Sequence, residues 1–342
     1  LAAKLCVSIG DGLIKENKVK QFQKVQLGGM AIAMLLLAAC GGAPATSAPA
    51  TSAPATSAPA STTSTHKIKV IATFSVLGDF VQNVAGDKVE LKTLVGLGND
   101  VHEFEPSPSD AQGLMEAGLI VENGLGLETW LDKLYQASGS KATRLIASKG
   151  IPTHQAAESD GKEETDPHVW QNVTNAITMV QNIRDGLVQA DPPNAQVYQA
   201  NAEAYIAQLK TLDSDIVAEA AKLPVDDRKL VTSHDALGYF AERYGFKIIG
   251  SLLGTVATAS GDPSAKDFAQ LVSDIKTAGV KAVFVESVTN PATMERLAQE
   301  AGVKIGPELY TDSLGAQGSA GDTYVKAMRY NVQSIVTALA GQ

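Results

Sequence analysis

Three histidines and one aspartate stand at the carboxyl ends of strand-like runs, where α/β proteins place their chemistry. His102 follows such a run in Asn99-Asp100-Val101-His102-Glu103-Phe104-Glu105-Pro106. His168 lies in Asp166-Pro167-His168-Val169-Trp170, where the residue before proline is held extended. His234 directly follows a strand in Val231-Thr232-Ser233-His234-Asp235, and Asp312 sits in Leu309-Tyr310-Thr311-Asp312-Ser313. One histidine at a strand end is more often a hydrogen-bonded surface residue than a ligand. Three of them with a carboxylate in the same setting suit a divalent first-row transition metal in four- or five-fold coordination.

Other residues offer less. Glu286, at a strand end in Phe284-Val285-Glu286-Ser287, is a candidate to orient a ligating histidine, against the plainer reading of a strand-end carboxylate. His154 could deliver metal, but a solvated role in the acidic loop 153–165 is the simpler expectation. Trp130 and Trp170 read as packing residues, and Asp79 and Asp87 as solvated surface.

The elements that must position these groups alternate. Strands are expected at 67–72, 89–95, 119–122, 229–232, 247–249, 282–285 and 309–310. Helical patterns fill 75–84, 107–117, 127–135, 174–189, 236–244, 264–278, 291–301 and 322–340. Strand and helix in alternation imply an α/β protein with parallel sheets. Between the two series lies one long helical pattern, 191–223. Tyr198, Ala202, Tyr205, Leu209, Leu212, Ile216, Ala220 and Leu223 recur at steps of three and four, so they share one face. Asp191 is placed to cap it, Pro192 and Pro193 fall in its first turn, and Pro224 stops it. At about 1.5 Å per residue it would span roughly 45 Å. That length predicts a rigid strut joining two lobes, 66–190 and 224–342.

The N-terminal stretch reads differently. Lys15, Lys18, Lys20 and Lys24 precede a short apolar segment, 27–37, the pattern of a secretory signal. It ends in Leu37-Ala38-Ala39-Cys40-Gly41, which resembles a bacterial lipobox; residues 1–39 would be removed and Cys40 lipidated. Cys40 would then be the mature protein's one cysteine, so neither a disulfide nor a thiolate metal site is expected. Residues 40–65 repeat Ala-Thr-Ser-Ala-Pro and are rich in Ser and Thr; such sequence cannot build a core and acts as a semi-extended tether, with His66 idle at its end. The whole chain of 342 residues carries −9 and its first 39 residues +3, so the remainder carries −12. That balance disfavours nucleic acid as a partner and is compatible with cations. No apolar run reaches the roughly 18 residues of a spanning helix.

Taken together the motifs resemble the metal-binding lipoproteins of bacterial ABC importers for zinc and manganese, the cluster A-I solute-binding proteins, whose lobes share one rigid helix. The resemblance runs from about His66 to the C-terminus. It rests on the segments around His102, His168, His234, Glu286 and Asp312, with Asn123-Gly124-Leu125-Gly126-Leu127-Glu128. It implies that His102, His168, His234 and Asp312 are the ligands, two from each lobe, for Zn2+ or Mn2+ as cargo. It further implies a membrane permease with a separate ATPase as partners; no phosphate-cradling Gly-Lys-Ser/Thr loop is present in this chain. A monomer, lipid-anchored outside the cytoplasm, is expected. Some manganese members carry Glu where this chain has His234. Many zinc members carry a His-rich loop where this chain has only His154. Three imidazoles favour zinc; the missing loop and the His102-Glu103 pair favour manganese. The rival reading is a secreted metallohydrolase on the same ligands with Glu286 as base; a catalytic zinc keeps a coordination position for water, and four protein ligands with no His-Glu-x-x-His argue against it. A surface adhesin is a third reading, on which the sequence carries no feature.

Overall fold

The computed structural model describes residues 67–157, 163–253 and 263–341. The signal segment, Cys40, the tether and His66 lie outside the described residues. The first lobe is built on four parallel strands, β1 (Ile68–Phe74), β2 (Val89–Val95), β3 (Leu119–Glu122) and β4 (Thr143–Ile146), in the order β2-β1-β3-β4. β1 and β3 are wholly or largely buried runs, as a parallel sheet covered on both faces requires. Helices α1 (Ser75–Ala85), α2 (Pro108–Glu116), α3 (Leu131–Ser138) and α4 (Val173–Ala190) surround it. A short antiparallel hairpin, β5 (Gln155–Ala157) with β6 (Glu163–Thr165), precedes His168.

The second lobe repeats the scheme with shorter strands. β7 (Lys229–Thr232) pairs with β8 (Lys247–Ser251), and β9 (Ala282–Val283) with β10 (Lys304–Ile305), all parallel. Single bridges, Thr232 to Phe284 and Glu286 to Leu309, join and extend these pairs. Its helices are α6 (Gly238–Tyr244), α7 (Ala265–Ala278), α8 (Ala292–Ala301) and α9 (Tyr324–Leu339). The strand expected at 309–310 is therefore only one bridge.

Between the lobes runs α5 (Ala195–Ala220), 26 residues or about 39 Å. Every residue assigned to its apolar face is buried, from Tyr198 to Ala220, with Leu223 just beyond the helix end. Burial of Leu209, Leu212 and Ile216 contributes about 1.5–3 kcal/mol each. The start differs from expectation. Pro192–Asn194 forms a separate 3-10 turn, in which the Asp191 side chain makes no capping hydrogen bond and the Asn194 N–H bonds the Asp191 carbonyl at 3.1 Å. The Asp191 carboxylate instead accepts the Asn194 side-chain amide at 2.7 Å. Asp79 also departs from its expected surface role. It is partly buried on α1, and its carboxylate accepts the Tyr205 hydroxyl of α5 at 3.1 Å and the Tyr324 backbone N–H of α9 at 3.2 Å. One carboxylate thus ties the first lobe, the long helix and the second lobe.

Two apolar cores result. The larger runs from the first sheet through α4 and α5 to α6 and α9; the smaller lies under α7 and α8 and includes Val231, Phe268, Ile275, Val283, Met294 and Leu297. Among the described residues no helix is long and apolar enough to cross a membrane.

Candidate metal centre

His102, His168, His234 and Asp312 meet at one point, each offering one ligand atom, with all four atoms within 4.8 Å of one another. Asp312 Oδ2 lies 3.2 Å from His102 Nε2 and 2.9 Å from His234 Nε2; Asp312 Oδ1 lies 3.6 Å from His168 Nε2. His168, His234 and Asp312 are fully buried, whereas 5% of the His102 side chain is exposed. Among the described residues neither Asp312 oxygen nor the His234 Nε2 has a hydrogen-bond partner of acceptable geometry, despite these short distances. Buried polar atoms left so are costly. Lone pairs aimed at a common centre instead of at each other's hydrogens are what a shared cation requires. The donor set therefore fits a divalent metal.

Two of the candidate ligands, His168 and His234, are each held by a neighbouring carboxylate. Asp166 Oδ1 accepts both the backbone N–H of His168, at 2.9 Å, and its Nδ1–H, at 2.8 Å. That bond fixes the tautomer that leaves Nε2 free to ligate. Glu286 lies against Nδ1 of His234, accepts the His234 backbone N–H at 3.0 Å and the Thr311 hydroxyl at 2.9 Å, and is 1% exposed. Burial pushes the His168 and His234 pKa values down. Asp312 with Asp166 around the first, and Glu286 with Asp312 around the second, outweigh it, so both stand above the ordinary imidazole value, His234 well above. Burial likewise pushes Asp312 up, but His234 and His168 hold it well below the usual carboxylate range.

The backbone beside each candidate ligand is also pinned. Trp130 donates its indole N–H to the Val101 carbonyl at 2.9 Å, and Trp170 does the same to Thr311 at 3.0 Å, joined there by the Gln171 amide at 2.9 Å. The Asn123 amide donates to the Pro167 carbonyl at 3.0 Å, and the Thr232 hydroxyl to the His234 carbonyl at 2.6 Å. Both tryptophans pack as expected, and each also holds the carbonyl preceding a proposed ligand. Asn123 is placed by an unusual loop: Gly124, Leu125 and Gly126 all have positive φ, at 79°, 59° and 85°. For Leu125 that conformation costs about 1–2 kcal/mol. It turns the N–H groups of Asn123 and Gly124 onto the Glu128 carboxylate, at 2.6 and 3.1 Å, with the Thr73 hydroxyl at 2.7 Å. Burial still pushes Glu128 up to about 7 against those three donors.

The chain matches a known family. A profile described as zinc-uptake complex component A, periplasmic (ZnuA), matches residues 70–338. The chain belongs to the ZnuA family. Similar members include the manganese-binding lipoprotein MntA of Halalkalibacterium halodurans, 37% identical over 273 residues, covering 80% of this chain and 89% of the relative. The manganese ABC transporter substrate-binding lipoprotein PsaA of Streptococcus pneumoniae is 33% identical over 286 residues, covering 82% and 91%. Among solved structures, the periplasmic zinc-binding protein TroA from Treponema pallidum superposes with a TM-score of 0.74 at 34% identity, over 80% of this chain and 99% of that one. The manganese-bound periplasmic metal-binding protein of Candidatus Liberibacter asiaticus gives 0.73 at 31%, over 80% and 100%. This ZnuA-family chain thus shares its two-lobed fold with relatives named for either metal.

The sequence singled out the four converging residues. It placed Glu286 as a candidate, and the structure sets that carboxylate against His234. Sequence reasoning missed Asp166, although it stands two residues before His168, the spacing that lets a carboxylate reach back to the ring. His154, expected in solvent, has its side chain 36% exposed and bonds Asp166.

Proposed function

We propose that the protein captures a divalent transition metal, zinc or manganese, between its two lobes outside the cytoplasm and hands it to an ABC permease driven by a separate ATPase. The observation that carries this reading is the convergence of three imidazole nitrogens and a carboxylate within 4.8 Å, two from each lobe. Membership of the ZnuA family supports the importer role. His102, His168, His234 and Asp312 are the ligands; Asp166 and Glu286 orient two of them. All four come from one chain, so a monomer suffices. Cys40, lipidated, and the tether hold the domain at the membrane.

The protein acts as a carrier, not a hydrolase. Glu286, the buried carboxylate that the metallohydrolase reading would need as a base, is already committed to the His234 ring, to a backbone N–H and to Thr311. Four protein ligands leave a tetrahedral ion closed to water. The test is metal analysis of protein purified without chelator or affinity nickel, with titration by Zn2+ and Mn2+. One equivalent of metal, lost in His168→Ala and Asp312→Ala, is expected. Zn2+ should bind more tightly than Mn2+ whichever is the cargo, since imidazole sites follow that affinity order. Wild-type stoichiometry in both variants would refute the site.

A further inference from the structure

We propose that His154 is a positioning residue for the metal centre: acting through Asp166, it fixes the ring of His168 and so sets how tightly the ion is held. The inference rests on the four-ligand reading above. Asp166 divides its two oxygens. Oδ1 accepts the backbone and ring N–H groups of His168; Oδ2 lies 3.0 Å from Nε2 of His154. The residue between them is 1% exposed, while His154 reaches the surface. If the Nε2–H of His154 were removed, Oδ2 would lose a donor at a buried position, and the carboxylate could turn about its own bond. Its hold on the His168 ring would loosen with it.

Two features of the second lobe are shaped around this contact. The Tyr239 ring stacks on His154, with centroids 4.0 Å apart and planes at 27°, and its hydroxyl donates to the Asp166 carbonyl at 2.9 Å. Gly238 leaves the room: a Cβ there would stand 2.9 Å from Asp166 Oδ2 and 3.0 Å from His154 Nε2. Among the described residues, the charged groups facing His154 are acidic: Asp166, Glu242 at 3.7 Å from Nδ1, and Asp235. Asp166 foremost raises the His154 pKa, yet the ring donates through Nε2 whether neutral or charged. Asp166 itself is pushed up by burial but held to about 2 by His154 and His168, so it remains a carboxylate throughout.

The experiment measures Zn2+ affinity by chelator competition and Zn2+ release into excess EDTA by stopped flow. Visible absorption of the Co2+ form reports ligand geometry. The variants are His154→Ala, His154→Gln, Gly238→Ala and His168→Ala. His154→Ala and Gly238→Ala should each weaken Zn2+ by about fivefold to tenfold, below the 10–100-fold typical of a direct partner of a ligand, with faster release and altered Co2+ bands. His154→Gln, whose amide can donate to Oδ2, should recover to within about twofold of wild type, on the same scale. Metal-free melting temperatures of the two His154 variants should be unaltered. Unchanged affinity in His154→Ala beside a dead His168→Ala overturns this inference alone. Equal losses in His154→Ala and His154→Gln with lowered metal-free melting would assign His154 to the fold and overturn it too. Tight binding by His168→Ala would remove the four-ligand reading and this inference together.

Discussion

The indole N–H of Trp170 donates to the carbonyl of Thr311 at 3.0 Å, joining residues 141 positions apart in the chain and in different lobes. Each is one bond or one turn from a proposed ligand, His168 on one side and Asp312 on the other. The Tyr324 hydroxyl closes the same seam by donating to the Trp170 carbonyl at 2.6 Å. The relative placement of these two ligands is therefore set by protein–protein bonds that do not involve a metal. Trp170→Phe keeps most of the packing against Phe74, whose ring centroid is 4.9 Å away, and removes the donor. Gln171 still reaches Thr311. A loss of about 0.5–1.5 kcal/mol in stability is expected, read by urea unfolding, with a several-fold weaker metal affinity. Normal affinity at reduced stability would separate this bond from the site.

The same seam bears on motion. The hydroxyl of Ser75 accepts the Leu314 N–H at 3.0 Å, and Gly98 donates its N–H to the Ser313 hydroxyl at 2.7 Å, both across the lobes. With α5 packed on both lobes as well, the lobes should move little on loading. Small-angle scattering of metal-free and loaded protein should give closely similar radii of gyration. A marked compaction on loading would mean that these bonds open in solution.

How far the sequence reaches is visible in particular residues. The α5 face was legible because one helix period holds over seven turns and no Gly breaks it. The convergence of the four candidate ligands was legible because strand ends in α/β lobes gather side chains at one place. β4 was not, since Thr143-Arg144-Leu145-Ile146 is a half-exposed edge strand whose pattern resembles a loop. β10, two exposed residues long, carries almost no signal. The role of Asp79 escaped because its partners, Tyr205 and Tyr324, lie more than 120 positions away, a distance at which periodicity is silent. Trp130 and Trp170 were legible as bulk, but which carbonyl each would hold depends on tertiary structure.

The anchor can be tested directly. Cys40→Ser should shift the protein from the membrane fraction to soluble or unprocessed forms. Intact-mass analysis of the wild type should show an acylated N-terminal cysteine. Wild-type protein that fractionates as freely soluble without an acyl mass would remove the anchor and leave the metal site untouched.

pH separates the metal-free from the loaded protein. In the metal-free fold His168 and His234 have raised pKa values, so their stabilisation is fully present below the unfolded value of about 6.5 and is lost as pH rises through the folded values. Asp312 is depressed, so its share is present above about 4 and lost only as pH falls through its lower folded value. Between pH 8 and 5.5 the metal-free protein should therefore become more stable on acidification. The loaded protein should do the opposite, because the same imidazoles must shed protons to bind. Because their pKa values are raised, competition begins above pH 6.5 and not below it. At pH 8, metal in hundredfold excess over its dissociation constant should add roughly 2.7 kcal/mol, seen as a rise in melting temperature that shrinks steadily towards pH 5.5. His168→Ala should abolish most of that rise at every pH and flatten the metal-free pH dependence. Melts of wild type and variant with and without Zn2+ decide it. A metal-induced rise in wild type that is constant from pH 8 to 5.5 would show that these imidazoles do not bind the ion.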